Sequence, residues 1–202
     1  MKVVLIRHGQ TQGNLEHRYV GSTDESLLSQ ENERLKMLCG SYPEPDCLFV
    51  SPKKRCIETA ALLYPDQSPE CIADLRECEF GAFEYKNYKE LQGNAEYQAW
   101  IDSGGTFAFP GGESREAFEK RCVSAFEQCC RRALRKGSDT VGFVVHGGTI
   151  MAVLDHFSVP HRDYFDWQVK NAEGFVCELL VNNETFELTE ILSLRQSTEA
   201  RR

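Results

Sequence analysis

Two arginines and two histidines of this 202-residue chain stand at or shortly after the ends of apolar runs, namely Arg7, His8, Arg55 and His146. The planar fork of an arginine guanidinium matches the oxygens of a phosphate group. A neutral imidazole is a nucleophile, and nearby positive charge opposes its protonation. This combination of side chains predicts phosphoryl transfer through a phosphorylated histidine.

These side chains have different roles in such a reaction. We expect His8 to be the nucleophile and Arg7 to hold the anion that it attacks. His146 would donate to phosphate oxygens whose charge shifts in the transition state. The leaving oxygen needs a proton, which a carboxylic acid could supply before the same group activates water. An acidic turn offers the candidates Asp74, Glu77, Glu79 and Glu84.

Three short apolar runs must position these groups, at residues 3–6, 47–50 and 141–145. Each reads as a strand buried on both faces. When parallel strands are joined by helical crossovers, their carboxyl ends share one edge of the sheet. The arginines and histidines would therefore converge there. For any one of them alone, a solvated strand end or an exposed charge on a helix remains the alternative.

Helical periodicity follows each of these strands. One helix is expected to begin with Ser29 as its N-cap and another near Pro52. The clearest pattern covers residues 114–136, and a further helix follows Gly148. The helix near Pro52 is predicted to bury Cys56, Ile57, Ala60, Ala61 and Tyr64.

The remaining segments are predicted as loops, a hairpin and a tail. Residues 10–28 read as a loop, and residues 85–112 as an aromatic insertion that borders the site. Residues 175–181 and 186–191 read as the two strands of a hairpin. Residues 193–202 read as a frayed tail. The whole chain, 1–202, is interpreted as a single domain.

Four segments together resemble the histidine phosphatase (phosphoglycerate mutase-like) superfamily. They are RHGQT at 7–11, SPKKRCIETA at 51–60, LRECEFGAFE at 75–84 and VHGG at 145–148, in the order of the family. The sequence FPGGES at 109–114 and the length of the chain resemble the α-ribazole phosphatase group of that superfamily.

The resemblance implies an α/β fold of three layers, a mostly parallel sheet with helices on both faces. It implies that His8 is phosphorylated, that Glu77 is the proton donor, and that the phosphate is bound by further residues. These are Arg7, Asn14, Gly21, Arg55, His146 and Gly147. The implied substrate is a small phosphorylated metabolite, with α-ribazole 5′-phosphate of cobalamin biosynthesis as the best guess.

Two other functions compete with this interpretation. A phosphoglycerate mutase would have to keep its phosphohistidine from water until the phosphoryl group is returned. A phosphate-binding protein without catalysis would keep the fold and lose the chemistry. The presence of His8, both arginines and Glu77 argues against the second alternative.

The composition limits partners and compartment. The net charge of −8 argues against nucleic acid or an acidic membrane surface as a partner. The chain lacks an apolar run of membrane-spanning length and a signal-peptide pattern, so we expect a cytoplasmic protein. Nine cysteines without zinc-type spacing are predicted to be reduced thiols. No metal or cofactor is expected, and the oligomeric state is not predicted.

Overall fold

A six-stranded sheet forms the centre of the computed structural model, which describes residues 1–182 and 185–194. Its order is β3-β2-β4-β1-β5-β6. The strands are β1 (Lys2–Arg7), β2 (Cys47–Val50), β3 (Glu70–Cys71), β4 (Thr140–Val145), β5 (Gly174–Asn182) and β6 (Thr185–Ser193). The first four are parallel, whereas β5 pairs antiparallel with β1 and with β6. The predicted mostly parallel sheet is confirmed.

Helices cover both faces of the sheet, as predicted. They are α1 (Gln12–Leu15), α2 (Ser29–Leu38), α3 (Lys54–Leu63), α4 (Ala95–Asp102), α5 (Arg115–Arg135) and α6 (Gly147–Phe157). Alternate residues of a strand point to opposite faces. Val3 and Leu5 therefore pack in the cluster that contains α5 and α6, while Val4 and Ile6 pack in the cluster with α2 and α3.

The buried face of α3 differs from the prediction. Cys56, Ala60 and Tyr64 are buried, but Ile57 and Ala61 face outwards. Their places are taken by Arg55, Thr59 and Leu63. For Arg55 the alternative of an exposed helix charge is wrong, because the side chain is buried and its Nη1 and Nη2 donate to backbone carbonyls of the opening loop. The helix also begins at Lys54, so Pro52 precedes it rather than lying in its first turn.

Other boundaries differ by short distances. The predicted loop 10–28 contains α1, which Thr11 and Asn14 cap reciprocally. Ser29 is the first residue of α2, whose N-cap is Leu28. Ser193 pairs with Phe175 and ends β6, so the strand includes a residue assigned to the tail. Residues 183–184 of the predicted hairpin and residues 195–202 of the predicted tail lie outside the described residues.

The aromatic insertion packs through its own small core. Phe83, Leu91 and Tyr97 are buried together, and Trp100 and Phe109 pack against them. The rings of Trp100 and Phe109 lie 5.1 Å apart, which joins α4 to the end of the insertion. Aromatic pairs at such distances add stabilisation beyond the area that they bury. Aromatic packing is therefore one of the contacts that hold the insertion against the domain.

Within the described residues, no helix combines the length and apolarity that a bilayer crossing requires. All nine cysteines are free thiols in the structure.

Candidate active site

His8 lies immediately after β1, with only 4% of its surface exposed. Its Nδ1 is 2.7 Å from the carbonyl oxygen of Gly9. A carbonyl only accepts, so Nδ1 carries the proton and donates it. The lone pair of the neutral ring is then on Nε2, which is the nitrogen available for attack. The local backbone therefore selects the tautomer that a nucleophile requires.

The charge state of His8 is set by its surroundings. Burial lowers its pKa well below the ordinary imidazole value, and the positive charges of Arg55 and Arg7 lower it further. The hydrogen bond to Gly9 opposes this shift only in part. His8 is consequently neutral at pH 7.

The turn that carries His8 is fixed by Thr59, which the sequence analysis did not single out. The Gly9 N–H donates to Oγ1 of Thr59 across 2.9 Å. Thr59 in turn donates to the carbonyl oxygen of Arg55 at 2.6 Å. A hydroxyl one helical turn after Arg55 on α3 was the available signal. This contact joins the nucleophile turn to the helix that carries Arg55.

Arg55 is fully buried between the opening loop and the nucleophile. Nη1 donates to the Thr23 carbonyl at 2.8 Å, and Nη2 donates to those of Val20 and Gly21 at 3.2 and 3.3 Å. Nε of Arg55 is buried and has no acceptor among the described residues. The carbonyls fix the guanidinium plane and leave Nε for an oxyanion.

Gly21, which was predicted to bind substrate, contacts Glu84 and Arg55. Its N–H donates to the carboxylate of Glu84 at 3.0 Å, and its carbonyl accepts from Arg55. A Cβ at this position would overlap the carbonyl oxygen of Cys78. Gly21 therefore allows two loops to approach closely and helps to orient Arg55.

Arg7 supplies the second cation and lines the cavity. Its Nη1 donates to the carbonyl oxygen of Val169 at 2.7 Å, while its buried Nε has no acceptor among the described residues. Burial lowers the pKa of Arg7, although a guanidinium stays protonated in proteins. Arg7 thus combines a fixed orientation with a donor that remains available.

His146 directly follows β4 and is the N-cap residue of α6. Its ring centroid lies 5.2 Å from that of His8, and its Nε2 is 2.7 Å from Oγ of Ser51. Burial and the charge of Arg55 lower the pKa of His146 well below the usual value. A second neutral imidazole is therefore fixed beside the nucleophile, with its orientation set by Ser51.

Glu77 is the carboxylate of the acidic turn that lines the cavity. Its oxygens accept the N–H groups of Cys78 at 3.0 Å and Gly148 at 3.2 Å. Burial raises the pKa of Glu77, and these hydrogen bonds and the nearby arginines oppose the shift. Glu84 is bound by the opening loop, and Glu79 pairs with Arg76. The geometry thus separates carboxylates that the sequence left equivalent.

Asn14 lines the same cavity. Its Oδ1 accepts from the Thr11 N–H and from the side chain of Asn171, at 3.2 and 3.0 Å. Sequence reasoning missed Asn171, because no recognised segment contains it and its partners are distant in the chain. Gly147, also predicted to bind substrate, lies beside the guanidinium of Arg7.

A cavity of about 1090 Å³ is lined by Arg7, Asn14, Glu77 and Gly147, whereas His8, Arg55 and His146 do not line it. Cationic side chains line the cavity, although the chain as a whole has a net charge of −8. They are Arg7, Arg18, Arg34, Arg115 and Lys170. Aromatic rings form much of the wall, namely Tyr19, Phe80, Tyr88, Trp100, Phe109, Tyr164 and Phe165. The insertion and the segment before β5 both contribute rings. The cavity suits an anion attached to an apolar group.

The described residues contain no group of three or more His, Cys, Asp or Glu side chains arranged to hold a metal ion. Positive charge in the site comes from arginine. Arg7, His8, Arg55, Glu77 and His146 lie together, as the convergence of strand ends predicted.

Residues 3–192 match the histidine phosphatase superfamily (branch 1), and the chain belongs to this family. The protein named Probable 2-carboxy-D-arabinitol-1-phosphatase, from Arabidopsis thaliana, is 31% identical over 164 residues, or 76% of this chain. The chain spans only 32% of the length of that relative.

Two further similarities are to proteins named as alpha-ribazole phosphatases. The adenosylcobalamin/alpha-ribazole phosphatase of Escherichia coli K12 is 33% identical over 130 residues, which are 60% of this chain and 63% of that protein. The crystal structure of the alpha-ribazole phosphatase from Shigella flexneri superposes with a TM-score of 0.76 at 23% identity. It covers 93% of this chain and 94% of that one, and it establishes the shared fold.

Proposed function

We propose that this protein hydrolyses small phosphomonoesters through a phosphohistidine on Nε2 of His8. The observation that carries the proposal is the hydrogen bond from Nδ1 of His8 to Gly9, beside the buried guanidinium groups of Arg7 and Arg55. A neutral imidazole with its lone pair on Nε2 therefore lies beside two cations that can bind a phosphate.

In the first step, Nε2 of His8 attacks phosphorus as the bond to the leaving oxygen breaks. Arg7, Arg55 and His146 would hold the three remaining phosphate oxygens, where charge is redistributed. Glu77 would donate its proton to the leaving oxygen, so that the alcohol departs uncharged. A raised carboxyl pKa suits this role, because it keeps the proton available.

In the second step, water attacks the phosphohistidine. The Glu77 carboxylate left by the first step takes a proton from this water as the P–N bond breaks. Inorganic phosphate and neutral His8 result, and Glu77 is protonated again. The same five side chains therefore complete the cycle with water as the only reactant besides the ester.

We propose α-ribazole 5′-phosphate as the best candidate substrate. The similarity to alpha-ribazole phosphatases supports this assignment. The cavity also supports it, because a volume of about 1090 Å³ with aromatic walls suits an aromatic base attached to a ribose phosphate. The partner would accordingly be a small phosphorylated metabolite. The free thiols support a reducing, cytoplasmic location.

Turnover of a panel of phosphomonoesters tests the substrate. The panel contains α-ribazole 5′-phosphate, 3-phosphoglycerate, phosphoserine and p-nitrophenyl phosphate. We expect the highest kcat/KM with α-ribazole 5′-phosphate. A higher kcat/KM with another member of the panel would make that ester the better substrate candidate. Formation of isomerised phosphoglycerate in place of free phosphate would identify a mutase.

Labelling tests the intermediate. Rapid quench of labelled substrate should give protein-bound label that survives alkali and is lost in acid, as a phosphoramidate is. His8→Ala should carry no label, whereas the exposed-site control His161→Ala should carry as much as the wild type. Label on serine or aspartate, or label retained in His8→Ala, would exclude His8 as the nucleophile.

A further inference from the structure

Arg121, on α5, uses all five of its N–H donors within one hydrogen-bond network. Nε and Nη2 each donate to one carboxylate oxygen of Glu113, both at 2.7 Å. Nη1 donates to the carbonyl oxygens of Asp74 at 2.9 Å and Arg76 at 2.8 Å. Nη2 also donates to the carbonyl oxygen of Glu77 at 3.0 Å. A guanidinium satisfied in this way is fixed in position and in plane.

The segment that carries Glu77 needs such a partner. Residues 76–79 lie outside the helices and strands, so their carbonyls have no ladder or helix donor of their own. Backbone carbonyls removed from water require donors. Arg121 supplies these donors to the residue before Glu77 and to Glu77 itself. The backbone conformation at the acid is therefore set from α5.

The carboxylate partner of Arg121 extends the network to the insertion. The side chains of Arg121 and Glu113 are only 13% and 12% exposed, so water weakens their attraction little. The Glu113 N–H donates to the carbonyl oxygen of Glu79 at 2.9 Å, and the Ala82 N–H donates to that of Pro110 at 2.7 Å. The end of the insertion thus lies directly on the acidic turn.

Arg121 does not line the cavity. We propose that Arg121, held by Glu113, is a positioning residue that keeps Glu77 in reach of the leaving oxygen. The proposal rests on the proposed function, in which Glu77 gives its proton to that oxygen as the P–O bond breaks. Loss of Arg121 would let the acidic turn move while His8, Arg7 and Arg55 keep their own contacts.

Two substrates of similar size separate this role from general destabilisation. p-Nitrophenol leaves without much help from an acid, whereas phenol is a poorer leaving group and needs the proton. We measure phosphorylation of His8 in a single turnover with each ester. Arg121→Gln should slow the reaction of phenyl phosphate about 30-fold and that of p-nitrophenyl phosphate less than about threefold. Equal slowing of both esters, or no slowing of either, would overturn the proposal.

A double substitution shows whether Arg121 acts through Glu77. Once Glu77→Gln has removed the acid, adding Arg121→Gln should change the phenyl phosphate rate less than about twofold, because residues that act as a unit are not additive. A full additional loss would mean that Arg121 acts on something else. Arg131→Gln is the matched control, since Arg131 pairs with Glu127 on the same helix. It should leave the ratio of the two rates unchanged.

Glu113→Gln covers the case in which Arg121→Gln does not fold. The amide keeps one acceptor oxygen for Arg121 and places N–H groups against the other donor. The same preference for p-nitrophenyl phosphate should appear, and its absence in a folded Glu113→Gln protein would overturn the proposal. If the wild type itself transferred no phosphoryl group to His8 from either ester, the proposed function would fail instead.

Discussion

The side-chain amide of Asn171 donates to Oδ1 of Asn14 across 3.0 Å, although the two residues are 157 positions apart in the chain. The same amide donates to the carbonyl oxygen of His8 at 3.1 Å. Since the Thr11 N–H also binds Oδ1 of Asn14, this oxygen is occupied twice. The remaining group of Asn14 is its NH2, a donor suited to a phosphate oxygen.

Asn171→Asp should therefore reduce phosphatase activity. The substitution keeps the shape of the side chain but replaces its NH2 donor with a carboxylate oxygen. This oxygen cannot donate to Oδ1 of Asn14 or to the carbonyl of His8, and it repels both. We expect kcat/KM to fall at least about tenfold, equivalent to about 1.4 kcal/mol of transition-state stabilisation. Asn87→Asp, in the loop before α4, is the control and should stay within about twofold. An unchanged kcat/KM in Asn171→Asp would show that the orientation of Asn14 is unimportant.

Gly148 and Gly147 are adjacent, but they tolerate a methyl group differently. A Cβ on Gly148 would overlap Oε1 of Glu77, whereas one on Gly147 would make ordinary contacts with Arg7. Gly148→Ala should therefore displace the acid and lower kcat for phenyl phosphate at least about tenfold more than Gly147→Ala does. Steady-state kinetics of both variants, with circular dichroism to confirm folding, checks this. Equal losses would contradict the proposed position of the acid.

The pH dependence of His8 phosphorylation should reveal Glu77. Its pKa is raised by burial, so the proton needed for the leaving group is retained above the ordinary carboxyl range and lost as pH rises through the folded-state pKa. The single-turnover rate with phenyl phosphate should therefore fall as pH rises through this pKa, which gives the pH–rate profile an alkaline limb. In Glu77→Gln the rate should be lower and this limb absent. A limb that persists in the variant would belong to another group.

Stability should fall below about pH 6.5, the ordinary imidazole pKa. The pKa of His146 is lowered in the folded protein. Below the ordinary imidazole pKa, the unfolded chain therefore binds a proton at this residue that the folded protein does not bind. Stability attributable to this ring is present above pH 6.5 and decreases as pH falls towards the folded-state pKa. In urea unfolding, the free energy of unfolding of His146→Gln should decrease less between pH 7 and about 5 than that of the wild type. His161→Gln, at an exposed site, should behave as the wild type does.

Activity should not depend on a divalent metal. Arg7 and Arg55 supply the positive charge that a phosphoryl group needs in transfer, and His146 adds a hydrogen-bond donor. Exhaustive chelation should leave kcat within about twofold. A loss that Mg²⁺ or Zn²⁺ restores would transfer this electrostatic role from the arginines to a metal.

The sequence predicted the parts of the site that lie next to strand ends. Arg7, His8 and His146 directly follow uninterrupted apolar runs, and parallel pairing of β1 with β4 brings these ends together. Arg55 was placed correctly by its segment, but its burial was not foreseen. Helical periodicity treats an arginine as a surface residue, and only tertiary contacts show that carbonyls of the opening loop receive its donors.

Other residues could not be predicted because their partners come from distant segments. Asn171 lies between a short helical turn and β5, in sequence without a pattern. Gly21 occupies a recognisable motif position, but its close approach to the backbone of Cys78 depends on a segment more than 50 residues away and could not be predicted. The choice of Glu77 among four acids likewise depended on resemblance until the fold placed the others elsewhere.

The position of β1 between β4 and β5 has a consequence for amide hydrogen exchange. Val3, Val4, Leu5 and Ile6 are completely buried, and both edges of their strand are paired. Their amides should exchange only through global unfolding, whereas those of residues 85–112 can exchange through local opening. We therefore expect the strand that precedes His8 and the insertion that lines part of the cavity to open with different free energies. Substitutions in the insertion should then alter substrate preference without disturbing that strand.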